Sequence, residues 1–128
     1  MQITTTTVSL TVDDVVASRD FLTSHLGYAT TTEADGFAAL RREDEAADLV
    51  LLRRGIEVLP EEQRDQRAAG VILAFTVTDL DAVLASLVEA CVPITLPLRE
   101  ESWGERLFQI TDPNGVVIQF VEWVTPAA

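Results

Sequence analysis

The chain repeats itself. Val8-Ser9-Leu10-Thr11-Val12-Asp13-Asp14 returns 65 positions later as Leu73-Ala74-Phe75-Thr76-Val77-Thr78-Asp79. Both copies alternate like strands, both close on an acidic turn, and both run directly into a stretch with helical spacing. Self-similarity at a fixed offset, in a chain of 128 residues, restricts the fold to two half-domains in tandem. Together they are expected to form a single domain, because this length is close to the usual domain size. A ligand site is expected where the halves meet.

Residues 4–12 alternate in period two with many β-branched side chains, which predicts a strand. Val8, Leu10 and Val12 supply its core face; Thr5, Thr7, Ser9 and Thr11 supply a hydroxyl face. Asp13 or Asp14 caps a helix over about 14–26, with Val15, Ser18, Leu22 and Leu26 as the inward stripe and Phe21 beside it. Gly27 suits the left-handed residue that ends a helix. Strands follow over Tyr28–Glu33, Phe37–Arg41 and Asp48–Arg53. The last of these, with Leu49-Val50-Leu51-Leu52 at its centre, suits burial on both faces or an interface. Residues 55–70 are polar and turn-rich and link module 1 (about 1–54) to module 2 (about 71–124).

The second half repeats the plan. Val71–Val77 is a strand and Asp79 caps the next helix. Leu80, Val83, Leu84, Leu87, Val88 and Cys91 make its apolar stripe, which places Cys91 in packing rather than in chemistry. A short strand is expected between Pro93 and Pro97, and a loop over Arg99–Gly104. Strands at Arg106–Thr111 and Val116–Trp123 flank Asp112-Pro113-Asn114-Gly115, where proline presets φ and Asn-Gly offers positive-φ positions. The order is β-α-β-β-β twice.

Composition narrows the partners. The formal net charge is −12, so phosphate backbones and anionic lipid are repelled while a cationic small molecule is attracted. No apolar run approaches the ~20 residues of a membrane span. Met1-Gln2-Ile3-Thr4 lacks the basic and apolar regions of a signal peptide. All nine basic residues are arginine, so no lysine amine is present for Schiff-base chemistry. The single cysteine permits no internal disulfide, which fits a reducing cytoplasm.

Trp103-Gly104-Glu105-Arg106-Leu107-Phe108, followed by Asp112-Pro113-Asn114-Gly115-Val116-Val117-Ile118-Gln119-Phe120, resembles the tryptophan-glycine-x-arginine strand and Asp-Pro-x-Gly turn of the vicinal oxygen chelate superfamily. That superfamily holds glyoxalase I, extradiol dioxygenases, and fosfomycin- and bleomycin-resistance proteins. Val12-Asp13-Asp14 and Phe21–Tyr28 match its front. The resemblance covers essentially the whole chain. It implies an α+β fold: two tandem βαβββ modules whose curved mixed sheet makes a cup, with helices on the convex face. It also implies a homodimer, with cups inside one chain or across the interface.

By that resemblance Val8, Leu10, Leu73 and Phe75 pack under helices, and Thr7, Ser9, Ile72, Ala74, Val117, Gln119 and Val121 line the cup. Leu107 and Gln109 on the neighbouring strand, and Trp103 near the mouth, complete the expected ligand-binding set. The enzymes of the superfamily hold a divalent metal through three strand positions, which fall here on Thr7, Ile72 and Gln119. Ile72 has no donor atom and Thr7 only a neutral hydroxyl, so neither metal nor other cofactor is expected. His25 belongs to the first helix, away from the cup. Glu122 faces opposite to Gln119, and Glu100, Glu101 and Glu105 lie near the rim. No catalytic constellation of carboxylates, histidine or activated nucleophile is visible.

The expected function is therefore metal-free binding of a small, cationic or aromatic molecule, of the drug-sequestration type. Trp103 would stack on it; Trp123 is expected in the core or in a dimer contact. The alternative is a lyase, isomerase or dioxygenase of the glyoxalase kind, with or without a metal. A third reading is a scaffolding protein whose own side chains close the cup.

Overall fold

The computed structural model describes residues 1–124. Among these the elements run β1 (Thr7–Val12), α1 (Val15–His25), β2 (Ala29–Ala34), β3 (Phe37–Arg41), β4 (Asp48–Arg53), a 3-10 turn (Glu61–Gln63), β5 (Ile72–Thr76), α2 (Leu80–Glu89), β6 (Leu96–Glu100), β7 (Glu105–Thr111) and β8 (Val117–Trp123). This is the α+β, twice-repeated β-α-β-β-β order expected from the repeat. The chain divides into two compact units, unit 1 ending at Ala69 and unit 2 beginning at Gly70.

Each unit is a four-stranded mixed sheet, ordered β1-β4-β3-β2 in unit 1 and β5-β8-β7-β6 in unit 2. The first strand of each copy pairs in parallel with the last, and the remaining pairs are antiparallel. The parallel pair needs a crossover, and the helix together with two strands provides it.

Both helices start on the same device. Asp14 accepts from the Ala17 amide at 3.1 Å and Asp79 from the Ala82 amide at 3.1 Å, each occupying one of the amides that a helix leaves unpaired in its first turn. Of the two candidate caps for the first helix, the structure uses Asp14.

In unit 1, α1 buries Ser18 and Leu22 beside Leu10, Val12, Ala38, Leu40, Leu49 and Leu51. An ion pair from Arg19 to Glu33 fixes which sheet face this is. Glu33 stands opposite Ala38 in register, and Ala38 opposite Leu51, so all three share the face toward α1. Tyr28 is buried beyond the helix end, its hydroxyl donating to the Ala47 carbonyl at 2.9 Å. Burial pushes its phenol up to about 12, because the charged form loses hydration there. Arg42 donates to the Leu26 carbonyl at the end of the helix and pairs with Asp44; that guanidinium lowers the Asp44 carboxyl to about 2.

In unit 2, Leu80 and Leu87 of α2 are buried, as are Phe108, Ile110, Ile118 and Phe120. The rings of Phe75 and Phe108 lie 6.0 and 5.3 Å from that of Phe120. Arg106 reaches Asp81 of α2 and Glu122 of β8, both at 3.2 Å. Residues 106, 108 and 110 therefore face α2.

Several local expectations are corrected. β1 begins at Thr7 rather than Thr4. Cys91 is exposed, and so is Val88. The helix ends at Glu89, and Cys91 lies past its cap with φ of 61°, so helical spacing no longer governs where its side chain goes. The Cys91 amide donates to the Val88 carbonyl and the Val92 amide to the Leu87 carbonyl, both at 3.0 Å. That is a Schellman closure with cysteine in the left-handed position. β6 spans Leu96–Glu100, later than the proline-bounded segment expected, and takes in part of the expected loop. As an edge strand with a register shift between Leu96 and Arg99, it tolerates the missing amide of Pro97. In the Asp112–Gly115 turn only Gly115 has positive φ; Asn114 does not. Asp112 shapes that turn, accepting from the amides of Asn114 (2.9 Å) and Val116 (2.8 Å).

Residues 55–68 form an organised loop on unit 1. The Gly55 amide donates to the Arg64 carbonyl, Arg64 Nε to the Leu59 carbonyl and Arg64 Nη2 to the Glu57 carbonyl. The Ala68 amide then donates to the Thr11 carbonyl at 2.7 Å, and Asp13 pairs with Arg54 and Arg67.

Candidate ligand-binding site

The residues singled out from the sequence fall on the sheet face averted from the helix of their own unit. In unit 1 these are Thr7 and Ser9, both exposed on β1. Thr7 stands opposite Asp48, and Ser9 opposite Val50. Asp48 was not anticipated here, because the apolar centre of β4 dominates its sequence signal. Its half-buried carboxylate lies 3.9 Å from Arg41 Nε.

Unit 2 gathers the larger set. Since 106, 108 and 110 face α2, alternation turns 105, 107, 109 and 111 the other way. Register carries this across the sheet. Ala74, Gln119 and Gln109 form one row; Ile72, Val117 and Thr111 form the next; Thr76, Val121 and Leu107 form the one on the other side. Ile72 and Ala74 are exposed, Gln109 and Gln119 half-buried, and Leu107 and Val121 buried. Gln109 Nε2 donates to Gln119 Oε1 at 2.8 Å.

The same alternation places Trp123 on this face, opposite Glu105. Trp103 sits in the loop before β7, and its indole nitrogen donates to Glu105 Oε1 at 3.1 Å. The two tryptophans are 62% and 53% exposed, so Trp123 is not a core residue. Its membership of this face was legible in the sequence, because it shares the parity of Val117, Gln119 and Val121. The end of the face thus carries two aromatic surfaces and a carboxylate. Of the other carboxylates considered, Glu101 accepts from Arg99 at the rim, and Glu122 pairs with Arg106 on the opposite face.

The donor set does not suit a divalent cation. Ile72 contributes no lone pair, Thr7 only a hydroxyl, and the Gln119 amide oxygen already accepts a hydrogen bond from Gln109. Among the described residues no group of three or more histidine, cysteine, aspartate or glutamate side chains converges. His25, at the end of α1, packs edge-on against Phe21 at 5.0 Å. An open hollow of about 520 Å³ on unit 1, lined by Gly27, Ala29, Arg41, Arg42, Glu43 and Asp44, lies apart from the expected residues. Its Arg42 is held by Asp44 and by the Leu26 carbonyl.

Among the described residues no helix is long and apolar enough to cross a membrane. No curated protein matches the sequence. Solved structures share the fold. One is a glyoxalase/bleomycin resistance protein/dioxygenase from Nocardioides, at 22% identity over 99% of this chain and 87% of that one, with a TM-score of 0.77. TioX from Micromonospora sp. ML1 aligns at 19% identity over 95% and 100%, TM-score 0.73. A lactoylglutathione lyase from Agrobacterium tumefaciens aligns at 16% over 94% of both chains, TM-score 0.74. The family profile described as Glyoxalase/Bleomycin resistance protein/Dioxygenase superfamily matches residues 4–120. With both helices and nearly all of both modules inside that match, the chain belongs to this superfamily.

Proposed function

We propose that this protein binds a small planar or cationic organic molecule on the face of unit 2 averted from α2, without a metal ion and without transforming it, in the manner of a sequestering resistance protein. The observation that carries this reading is the pairing of exposed Trp103 and Trp123 around Glu105 at the end of that face. A tryptophan attracts a cation over its ring, worth roughly 0.5–2 kcal/mol, and the carboxylate adds charge complementarity. The rest of the face is mostly apolar with a few orienting polar groups, which is the general makeup of a ligand site. The metal-free reading is supported by the poor donor set at Thr7, Ile72 and Gln119. Net charge of −12 favours a cation over nucleic acid or anionic membrane as partner. The lone cysteine supports a reducing, cytoplasmic setting, and the resemblance to two-module superfamily members supports a homodimer.

The test is a titration with cationic aromatic compounds followed by tryptophan fluorescence. Dissociation constants tighter than about 100 μM are expected, with Trp103→Ala weakening binding about tenfold. A broad panel with no binder at that level overturns the reading. Thermal stabilisation by stoichiometric Zn²⁺, Mn²⁺, Ni²⁺ or Fe²⁺ would favour the metal-dependent enzyme instead.

A further inference from the structure

Two glutamines at the middle of the unit 2 sheet form a self-paired amide couple. Gln109 and Gln119 stand directly opposite each other in the β7–β8 register, joined at 2.8 Å. Each carboxamide has two N–H donors and an oxygen with two lone pairs. The internal bond leaves Gln119 Nε2 as an adjacent donor and Gln109 Oε1 as an adjacent acceptor. Exchanging oxygen and nitrogen on both amides reverses the internal bond, yet one donor and one acceptor group still remain. The surroundings are mostly apolar: Ala74 flanks Gln119 on β5, Leu107 and Val121 are buried in one adjacent row, and Val117 stands in the other beside Thr111, which brings a hydroxyl on that side.

A donor beside an acceptor, in a mostly apolar setting, matches one ligand group closely. In a cis-amide the N–H and C=O point the same way, so both bonds close at once. We propose that the Gln109–Gln119 pair selects ligands bearing a cis-amide edge: a lactam, an imide or a primary carboxamide. This rests on the reading that this face of unit 2 binds a small molecule, and adds the chemistry it chooses. An N-methylated or lactone analogue of the same shape leaves one glutamine group covered and unpaired, which is costly. Trp123 lies four residues along β8 from Gln119, roughly 13 Å at strand rise. A ligand that stacks at the aromatic end and pairs with the amides is therefore elongated.

The experiment uses the full chain, labelled with ¹⁵N, and three probes of one shape: 2-quinolone, 1-methyl-2-quinolone and coumarin. The lactam is expected to shift the side-chain amide signals of Gln109 and Gln119, and to bind about tenfold more tightly than the other two. In the Gln109→Met/Gln119→Met double variant the ratio is expected to fall within about threefold of unity. The wild-type series decides the question even if that variant does not fold. Equal affinities for all three probes, with shifts on β5, β7 and β8, would overturn amide selection while leaving ligand binding in place. Failure of every probe to perturb these strands, together with failure of the cationic titration, would overturn both.

Discussion

Gly27 and Cys91 hold the same place in the two copies, each just beyond a helix cap with positive φ. Glycine adopts that conformation freely; cysteine pays for its Cβ. Cys91→Gly is therefore expected to stabilise the protein by about 0.5–1 kcal/mol, read as a raised urea midpoint with unchanged slope. The reverse change at the mate is expected to be harmful: a Cβ at Gly27 would lie 2.6 Å from Arg42 Nη1, so Gly27→Ala should cost about 1–2 kcal/mol by the same measurement. Tyr28 gives a pH signature. Its folded pKa is raised to about 12, so the folded state holds the proton more tightly than the unfolded chain. The stability this contributes is complete below about pH 10 and is lost as pH rises toward 12. Since it is the only tyrosine, absorbance of its phenolate reads the titration directly. Tyr28→Phe should remove this alkaline dependence and cost about 1 kcal/mol at neutral pH through the lost bond to Ala47. The chain spelled out Gly27 as a helix terminator, but the apolar stripe ran one turn too far at Cys91, because spacing alone does not mark where a helix stops.

At the level of elements, strands flanked by clear turns were legible almost to the residue. β3 and β4 match their expected bounds, since Gly36 and the polar 42–46 stretch punctuate them. β6 was shifted, because its prolines look like boundaries although an edge strand accommodates Pro97 at a shifted register. The 55–68 loop was legible as irregular, but not its internal order, which depends on Arg64 reaching backbone carbonyls that carry no sequence signal. Arg64→Ala is expected to speed amide exchange across 55–66 by about tenfold, measured by hydrogen–deuterium exchange, while β3 and β4 keep their protection.

Over the whole molecule, the duplication was the most legible feature, and the superfamily match over residues 4–120 agrees with it. The candidate site was legible in part. The family resemblance assigned Gln109 and Gln119 to one ligand-binding set, but their mutual bond depends on β7–β8 register, and the Trp103–Glu105 contact on a loop conformation. The acidity of the chain acts at this scale. A cationic aromatic ligand is expected to bind about tenfold more weakly at 500 mM than at 20 mM NaCl, whereas a neutral lactam should be nearly indifferent; paired fluorescence titrations check the difference.

The register shifts at Thr30/Thr32 and Leu96/Arg99 carry a further consequence for crowding. β2 and β6 are the corresponding outer strands at one edge of each sheet, β1 and β5 at the other, and an outer strand is a template on which a stray chain can polymerise. A bulge twists its hydrogen-bonding groups out of line, and Pro97 deletes a donor from one of them. Each copy thus carries a built-in deterrent to strand addition at its β2 or β6 edge, so in concentrated protein fibril growth from those two edges is expected to be suppressed.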